Sequence, residues 1–384
     1  MTPLPLDGVT VVALEQAIAI PFATRQLADL GARVIKIERP GTGDFARQYD
    51  TTVLGQSSHF VWVNRGKESV ELDVKDPDGL AALRSLLDEA DVFASNLAPG
   101  AVGRLGLDGA TLSETHPRLV VCELSGYGED GPYGGKKAYD LLVQCEAGLP
   151  SVTGTPDEQV KAGIPVADIA GGMYAFSGIL SALYERERTG RGQVLEVTLF
   201  EALAEWMGYA AYFSRFTGSA PPRSGLHHAA IAPYGPFATA DGAVYLSVQN
   251  DREWRRFCEV VLGEPELADR ADLVTNDVRY RNRGAVQELV EQRFATLTAA
   301  EAVDRLDRAQ IANSQLRDVG ELFDHPQLAA RDRIREVGTR GGPVPALLPP
   351  ITVRGREPRM APVPALGEHT DAVRAELSAR TGGS

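Results

Sequence analysis

The sequence predicts an α/β protein with a Rossmann-like large domain, built on a parallel sheet, and a smaller α/β domain. Short β-branched runs alternate with segments of helical apolar spacing along the first half of the chain, a pattern typical of βαβ units. The chain has 384 residues, enough for roughly two to three domain-sized units, and 43% of them are hydrophobic. A Gly/Pro/Ser-rich stretch at residues 217–228 marks a boundary after this half.

Each element of the first half has its own signal. Strands are expected where apolar and β-branched residues run together, at residues 8–14, 32–38, 91–96, 118–126 and 194–198. Helices are expected where apolar residues recur at helical spacing, at residues 21–30, 76–90, 168–183 and 199–213. The helix at 76–90 has the clearest start, since Asp76 is a suitable N-cap and Pro77 fits the first turn.

The part after the boundary predicts a smaller unit. AVYLSV (residues 243–248) is expected as a strand, and REWRRFCEVVL (252–262) begins a series of helices that reaches about residue 332. A Pro-rich segment at 343–365 then leads to a short last helix, EHTDAVRAELSAR, at 368–380.

The charge and the cysteines argue against several classes of function. A formal net charge of −13 without a compensating Lys/Arg stripe argues against nucleic-acid binding. No window holds the ~18 uninterrupted apolar residues of a membrane span, and the start lacks a signal-type segment, so a cytoplasmic protein without membrane association is expected. Three widely spaced cysteines predict reduced thiols in or near the core rather than disulfides or a metal site: Cys122, Cys145 and Cys258.

The first strand-to-helix turn argues against a nicotinamide enzyme. A dinucleotide-binding fold places G-x-G-x-x-G there, so that the backbone can approach a pyrophosphate. This chain has LEQAIAIPFATRQL at that point, without a glycine. The sheet is therefore expected to carry different chemistry.

A single acid interrupts an apolar segment in PVADIAGGMYAFSG, residues 165–178. Asp168 lies near the predicted start of a helix, where the helix dipole and free N–H groups favour an anion. Gly171 and Gly172 follow it and leave no side chain to obstruct a bulky ligand. Local pattern alone favours a simpler interpretation, in which Asp168 is an N-cap and the glycines permit close helix packing.

Several further stretches occur in an order that resembles one enzyme family. They are LADLGARVIKIERPGTGD, ELDVKDPDG, KAYDLLVQCEAGLPSVTG, ADIAGGMYAFSGILSALYERERTGRGQVLEVTLFEA and LGEHTDAV, and together they span nearly the whole chain. In this ordered set the chain resembles the family III CoA-transferases, the formyl-CoA transferase and carnitine CoA-transferase group. That group includes members that act on dicarboxylates of the mesaconate, itaconate or citramalate type.

The resemblance implies a division into domains and an assembly. Residues 1–210 and 333–384 would form the large CoA-binding domain, 211–224 a linker and 225–332 the small domain. The protein would be a homodimer of ring-like protomers that are interlocked. Coenzyme A or acyl-CoA is implied as a substrate, with no metal and no permanently bound cofactor.

The resemblance places the catalytic aspartate at Asp168. Its carboxylate would attack an acyl-CoA thioester to give a mixed anhydride, and the CoA thiolate would return to form an aspartyl-CoA thioester. Such chemistry requires an ionised, accessible carboxylate and the exclusion of water. The CoA groove of the family corresponds here to Arg39, Leu72, Lys75, Asn96, Leu97, Arg104, Lys137 and Tyr139.

The first loop departs from the pattern of the formyl-CoA transferases. Those enzymes carry a glutamine where this chain has Ile18, and Gln16 lies two positions away. The resemblance implies that Ile18, together with Gly171 and Gly172, lies next to the reacting thioester.

Two other functions remain open. The α-methylacyl-CoA racemases share the implied fold and the aspartate, but they pair it with a histidine, typically in GHD. The corresponding stretch here is KAYD, with Tyr139 in the place of the histidine, and a tyrosine is ordinarily a poor base at neutral pH. A catalytically silent CoA-binding protein is the other alternative, against which Asp168 beside the two glycines argues.

The stretch RSGLHHAAIAPYGPF, residues 223–237, bears on the acceptor. It resembles family members that act on four- and five-carbon dicarboxylates with succinyl-CoA as a donor. The resemblance implies that Arg223, His227 and His228 contact the second carboxylate of such an acid, and arginine suits bidentate carboxylate binding. A boundary loop whose histidines bind nothing is the open alternative.

Overall fold

The computed structural model describes residues 3–381 of the chain. The described residues divide into two compact units. The large unit contains residues 3–149, 162–209 and 326–381, and the small unit contains residues 150–161 and 210–325. The large unit is therefore discontinuous in sequence, since its last segment follows the small unit.

A parallel six-stranded sheet lies at the centre of the large unit, counted over residues 3–381. Its strands are β1 (Thr10–Leu14), β2 (Arg33–Glu38), β3 (Lys67–Glu71), β4 (Val92–Ser95), β5 (Val120–Ser125) and β6 (Val194–Thr198). Their spatial order is β3-β2-β1-β4-β5-β6, and every neighbouring pair is parallel. The predicted mixed α/β class and the parallel sheet are confirmed.

Alternate residues of the strands contribute to two separate hydrophobic cores. Val11 and Ala13 of β1 belong to one core, while Val12 and Leu14 belong to the other. Helices pack on both faces, so the strands are apolar along most of their length, as in other parallel sheets. The helices of this part are α1 (Ala19–Asp29), α2 (Ser58–Asn64), α3 (Pro77–Leu87), α4 (Ala101–Arg104), α5 (Gly109–Thr115), α6 (Asp140–Glu146), α7 (Val166–Thr189) and α8 (Leu199–Trp206).

The strand order is that of a doubly wound nucleotide-binding sheet, 3-2-1-4-5-6. In such sheets, ligands bind outside the carboxyl ends of the strands at the point where the order reverses. Here the reversal lies between β1 and β4, which are hydrogen-bonded neighbours. The topology therefore points to a ligand site just beyond Leu14 and Ser95.

Helix α7 is the central packing helix of the large unit. By length and composition its 24 residues could cross a membrane, yet half of its most apolar window is buried inside the protein. It packs against α1, and Gly172 permits the close approach of the two helices. A Cβ atom at this position would lie 2.5 Å from the carbonyl oxygen of Ala19.

The small unit has its own core. In its described residues, an antiparallel sheet of three strands pairs β7 (Tyr234–Ala238) with β8 (Ala243–Ser247) and β8 with β9 (Ala312–Gln315). Phe237, Trp254 and Phe294 are fully buried in this core. The helices are α9 (Gly208–Thr217), of which residues 210–217 belong to this unit, α10 (Asp251–Arg256), α11 (Asn276–Arg281), α12 (Arg283–Phe294) and α13 (Ala299–Arg308).

The C-terminal segment covers one edge of the parallel sheet. Strand β3 is an edge strand, and unpaired strand edges invite association with other chains. The His369 N–H donates to the Ser69 carbonyl at 3.0 Å, and the Glu71 N–H donates to Thr370 Oγ1 at 2.9 Å. The elements of this segment are α14 (Pro326–Ala330), β10 (Ile334–Val337), β11 (Val344–Leu347) and α15 (Thr370–Thr381).

Two predicted helices differ from the structure in their continuity. The helix expected at 199–213 is divided into α8 and α9 at Met207, where Gly208, a poor helix former, follows. The helix expected at 252–262 begins as α10 and continues as one π-helical segment, Phe257–Leu262. The periodicity of apolar residues predicts which face of a helix is buried, but it does not show where the helix is interrupted or changes its hydrogen-bonding pattern.

Other expectations also need correction. Residues 211–217, expected in a linker, are helical and belong to α9, and residues 150–161, expected in the large domain, group with the small unit. Cys122 and Cys258 are buried free thiols, but Cys145 is exposed. The remaining domain boundaries stay predictions.

Candidate active site

A large cavity opens at the carboxyl ends of the parallel strands. Its volume is about 940 Å³, which lies in the upper part of the range of ligand pockets, ~300–1,000 Å³. Its wall includes a residue that ends or follows each of five strands: Gln16 after β1, Arg39 after β2, Leu72 after β3, Asn96 after β4 and Ser125 at the end of β5. The cavity therefore lies where the strand order of this sheet places a ligand.

A reciprocal pair of hydrogen bonds bridges β1 and β4 at the point of reversal. The Gln16 N–H donates to Asn96 Oδ1, and Asn96 Nδ2 donates to the Gln16 carbonyl, both at 2.8 Å. Arg39 Nη2, just after β2, donates to Gln16 Oε1 at 3.1 Å. These bonds tie together the ends of three strands that form the cavity wall.

Asp168 lies in the first turn of α7, on the wall of the cavity. Helix α7 has no side-chain cap from its own N-cap residue, Pro165. The cap comes instead from the first residue of α6, because Asp140 Oδ1 accepts from the N–H of Ala167 at 2.8 Å and of Asp168 at 3.4 Å. Gln144 Nε2 donates to the other oxygen of Asp140 at 2.7 Å. Asp140 thus accepts the free N–H groups at this helix end, which were expected from the sequence to stabilise the Asp168 anion.

The surroundings of Asp168 disfavour its charged form. Burial raises the pKa of Asp168 to about 7, and the nearby Asp140 carboxylate adds to the rise. Any benefit from the helix dipole is outweighed by these two effects. A carboxyl group with this pKa is available in both protonation states near neutral pH, which is typical of catalytic acids, bases and nucleophiles.

Two tyrosines line the same cavity. Tyr139, the N-cap residue of α6, is 65% exposed, and Tyr49 is 48% exposed. Partial burial raises the pKa of Tyr49 to about 12, with contributions from the charges of Asp44 and Asp168. Tyr49 therefore keeps its proton at neutral pH and can act as an O–H donor in the part of the cavity near Asp168.

The cavity collects seven of the eight residues that the resemblance assigns to CoA. They are Arg39, Leu72, Lys75, Asn96, Leu97, Lys137 and Tyr139. Arg104 is the exception in the described structure, because it ends α4 on an exposed surface outside the cavity wall. The three cations among the seven are exposed and suit an anionic ligand.

The two glycines after Asp168 do not belong to the cavity wall in the described structure. Both are buried between elements: a Cβ at Gly171 would lie 2.8 Å from Leu199 Cδ2, and one at Gly172 would meet α1. The structure thus gives them the packing role of the simpler interpretation. Ile18 does line the cavity, as the N-cap residue of α1.

Arg223, expected near the acceptor, lies in the small unit. Its Nε donates to the Thr155 carbonyl at 2.8 Å, and its Nη2 donates to the Pro156 carbonyl at 2.7 Å. These bonds attach the short segment 150–161 to the rest of the small unit. The guanidinium already has a structural role, and a contact with substrate stays a prediction.

The two expected acceptor histidines also stabilise their own loop. The Ala230 N–H donates to His228 Nδ1 at 3.1 Å, and the His228 ring stacks on Tyr234 with ring centres 4.9 Å apart. The His227 ring lies so close to Gly235 that a Cβ there would be 2.3 Å from Nδ1. These contacts correspond to the boundary-loop interpretation, and binding of an acceptor by either histidine stays a prediction.

Three residues of the site were not identified from the sequence: Asp140, Tyr49 and His59. Asp140 is the acid of the KAYD stretch. Its capping role could not be predicted from that stretch, because the helix that it caps starts 26 residues later. The third residue is His59. It lines the cavity, with its ring edge-on to Tyr49 at 5.4 Å and its Nδ1 3.6 Å from Asp50 Oδ2.

The site suits an organic anion better than a metal. Among residues 3–381, no group of three or more His, Cys, Asp or Glu side chains is placed to hold a metal ion. The polar groups of the cavity are carboxylates, tyrosine hydroxyls, amides and a few cations. Their arrangement offers the poorly solvated carboxyl group of Asp168 and separate positive charges for a ligand.

Comparisons with known proteins identify the family. Residues 6–370 match the family model described as CoA-transferase family III. The chain is 37% identical to an acetyl-CoA:oxalate CoA-transferase of Acetobacter aceti, over 98% of this chain and 96% of that protein. It is 33% identical to a succinate–glutarate CoA-transferase of Agrobacterium fabrum, over 97% of this chain and 96% of that protein.

A solved structure shows the same fold. The crystal structure of a CaiB/BaiF family protein from Brucella suis matches with a TM-score of 0.86 and 34% identity, over 98% of this chain and all of that one. The family model and the relatives cover nearly the whole chain, so they include both the parallel sheet and the cavity. The predicted family is confirmed: this chain belongs to CoA-transferase family III.

Proposed function

We propose that the chain moves CoA between carboxylic acids, with Asp168 as the covalent nucleophile. The observation that carries this proposal is the position of Asp168, on the wall of a large cavity at the carboxyl edge of the sheet, in a chain of this family. Its raised pKa reflects poor solvation of the carboxylate. A poorly solvated carboxylate is a better nucleophile toward a thioester than a hydrated one.

The reaction runs in four balanced steps. The Asp168 carboxylate attacks the thioester carbonyl of the donor, which forms a mixed anhydride and releases CoA thiolate. The thiolate attacks the aspartyl carbonyl, which forms the aspartyl-CoA thioester and releases the donor acid as a carboxylate. The acceptor carboxylate then attacks this thioester to give a second anhydride and CoA thiolate. Attack of the thiolate on the acceptor acyl group forms the new acyl-CoA and restores the Asp168 carboxylate.

The other cavity residues are proposed to bind and orient the substrates. Arg39, Lys75 and Lys137 supply positive charge for the CoA phosphates. Tyr139 and Tyr49 are donors for the negative charge that develops on the carbonyl oxygen, a type of contact that typically contributes about 2–4 kcal/mol. The buried Ile18 gives that part of the wall an apolar surface, which disfavours the water that would hydrolyse an anhydride.

The proposed acceptor is a small dicarboxylate, with succinyl-CoA as the donor. The two relatives described above are named for oxalate and for glutarate, which are both dicarboxylates. Arg223, His227 and His228 are the proposed partners of the second carboxylate. We further propose that the protein acts in the cytoplasm as an interlocked homodimer, following the resemblance.

Removal of the proposed nucleophile tests the mechanism. Asp168→Ala should abolish CoA exchange between succinyl-CoA and a panel of dicarboxylic acids, read by mass spectrometry of the CoA products. Hydroxylamine should trap the wild-type intermediate as a hydroxamate on Asp168. Asp78→Ala is the matched control, because Asp78 also lies in the first turn of a helix but outside the cavity. Substantial exchange by Asp168→Ala would contradict the covalent mechanism.

The same preparation separates transfer from racemisation. A 2-methylacyl-CoA is incubated with the wild-type enzyme in D₂O. Any incorporation of α-deuterium should be much slower than acyl exchange, because Tyr139 occupies the position of the histidine that racemases use as a base. Fast deuterium incorporation that Asp168→Ala abolishes would assign the racemase reaction instead. CoA binding without either reaction would identify a silent CoA-binding protein.

A further inference from the structure

A cluster of buried charges lies directly beside the cavity, at the ends of β1 and β2. It contains three carboxylates and three cations, namely Glu15, Glu38, Asp44, Lys36, Lys67 and Arg47. Lys67 Nζ lies 2.7 Å from Glu15 Oε1, Lys36 Nζ lies 2.8 Å from Asp44 Oδ2, and Arg47 Nη2 lies 2.7 Å from Glu38 Oε1. The formal charges therefore balance pairwise in a region where unpaired charge is costly.

Asp44 connects this cluster to the loop between β1 and α1. Its Oδ2 accepts from Lys36, while its Oδ1 accepts from the N–H of Ala17 at 3.1 Å and from the N–H of Ala46 at 2.9 Å. Ala17 has a φ of 59°, the left-handed conformation that an L-residue other than glycine rarely adopts. The bond from Ala17 to Asp44 holds the loop in a conformation that its sequence does not favour.

This loop lies beside the proposed nucleophile. Gln16, Ala17 and Ile18 all line the cavity. The next residue, Ala19, places its carbonyl oxygen against Gly172 of α7. Gly172 is four residues after Asp168 and therefore lies on the same face of the helix. The loop backbone and the Asp168 side chain thus form adjacent parts of one wall.

We propose that Asp44 is a positioning residue of the transferase reaction, which fixes the Gln16–Ile18 loop beside Asp168 through its hydrogen bond from Ala17. Asp44 is 2% exposed and does not need to touch a substrate for this role. Lys36 neutralises it and orients its second oxygen. The inference rests on the proposed function, because it assigns the loop a place next to the reacting thioester.

A charge-balanced double variant tests the role without leaving a buried charge unpaired. Lys36→Met with Asp44→Ala removes one cation and one carboxylate, so the contacts of Lys36 with Asp44 and with Glu15 are lost, while the Glu15–Lys67 and Glu38–Arg47 pairs remain. Removing both partners of a buried pair is far better tolerated than removing one. The variant should fold, with a kcat reduced ~10–100-fold and a KM for succinyl-CoA within about threefold of the wild type, because misplacement near the reacting atoms affects the rate more than binding.

A conservative variant and a remote one serve as comparisons. Lys36→Met with Asp44→Asn keeps an oxygen that accepts from the Ala17 N–H and should recover most of the lost kcat. Arg33→Met with Glu68→Ala removes a partly exposed pair from β2 and β3, together with the bridge from Arg33 to Glu376, away from the loop, and should leave kcat unchanged. Equal losses in the Ala and Asn double variants would overturn the proposal, as would an unchanged kcat in the Ala variant.

Hydrogen exchange separates this proposal from the proposed function. In the Ala double variant, the Ala17 amide should exchange at least about tenfold faster than in the wild type, while the amides of β1 keep their protection. This measurement needs no substrate. If the wild type transfers no CoA, the proposed function fails while the loop contact is still tested; unchanged exchange at Ala17 would overturn the positioning role by itself.

Discussion

Two carboxyl groups lie at the start of α7 and have different roles there. Asp140 accepts the free N–H groups of the helix, and Asp168 extends from the same turn into the cavity. Because Asp140 takes those donors, the helix end does little to stabilise a charge on Asp168. Burial is the larger cause of the raised pKa of the proposed nucleophile, and the charge of the capping residue adds to it.

Removing the charge of Asp140 should move the pH dependence of the reaction. In the wild type, kcat/KM for the acyl-CoA should rise with pH around a midpoint near pH 7 and level off about one pH unit higher, as the Asp168 carboxyl ionises. Asp140→Asn keeps an oxygen for the Ala167 N–H but removes the neighbouring charge, so the rise should shift to lower pH. It should stay above the range of an ordinary aspartate, since burial is the larger cause.

Asp140→Ala is the contrasting variant. It removes both the charge and the cap, so it should also lower the stability of the protein by about 1 kcal/mol, the usual cost of a lost N-cap. Initial rates measured from pH 5 to 9 and thermal unfolding distinguish the two variants. A profile of Asp140→Asn that is superimposable on the wild type, or shifted to higher pH, would refute the charge argument.

At the residue scale, the sequence predicted residues of the cavity wall better than the contacts that hold them in place. The resemblance named Asp168 and eight further residues that line the cavity, namely Ile18 and seven of the residues assigned to CoA. It did not identify the cap from Asp140 or the bond from Ala17 to Asp44. Each of those contacts joins separate segments, and only the folded chain shows which segments meet.

At the scale of elements, the packing of α1 on α7 determines where the proposed nucleophile and the first loop meet. Gly172 has no side-chain atom to separate the helices. Two of the buried charges contact α1 directly, because Lys67 Nζ donates to the Pro21 carbonyl and Glu15 accepts from Thr24 Oγ1. The close contact lies one turn after Asp168. Its loss would affect both the stability and the catalytic geometry.

Gly172→Ala should therefore destabilise the protein. The new Cβ would lie 2.5 Å from the Ala19 carbonyl oxygen and 3.1 Å from Phe22 Cδ1, and overpacking of this kind typically costs about 1–3 kcal/mol. Gly178→Ala in the same helix is the control, because its Cβ would meet only Leu195 Cδ1, at 3.4 Å. That control should be neutral or gain up to about 1 kcal/mol from helix propensity. Urea unfolding of both variants checks the difference, and equal stabilities would disprove the packing argument.

The strands show where sequence patterns succeed and fail. Strands β1, β2, β4, β5 and β6 were predicted because apolar and β-branched residues run together in them. Strand β3 was not, since Val70 is the only apolar residue of KESVE, beside three charged residues. Lys67 of that strand is fully buried, with its Nζ bound by Glu15, Asn64 and the Pro21 carbonyl. A charge neutralised by distant residues cannot be recognised as a core residue from the sequence.

At the scale of the whole molecule, the proposed interlocked homodimer makes a distinctive prediction. Tyr212 and Phe216 of α9 are 72% and 83% exposed in the single chain, an apolar surface that an assembly would cover. Native mass spectrometry should give twice the chain mass of 41.2 kDa. The mass should stay the same on strong dilution, because threaded rings cannot separate without unfolding.

Subunit exchange provides the decisive comparison for that assembly. Isotopically labelled and unlabelled dimers mixed under native conditions should form no hybrid, whereas unfolding and refolding of the mixture should produce it. Hybrid formation without unfolding would contradict interlocking but leave a conventional dimer. A monomer at all concentrations would contradict both.

The cover that the C-terminal segment places on β3 has a consequence for how the chain is made. Strand β3 ends at Glu71, but its partners at His369 and Thr370 leave the ribosome almost 300 residues later. At 5–20 residues per second, the sheet edge stays open for roughly 15–60 s of synthesis. Throughout the synthesis of the small unit, β3 can pair with β2 while its outer edge lacks these C-terminal partners, and an open edge of this kind favours association with other chains.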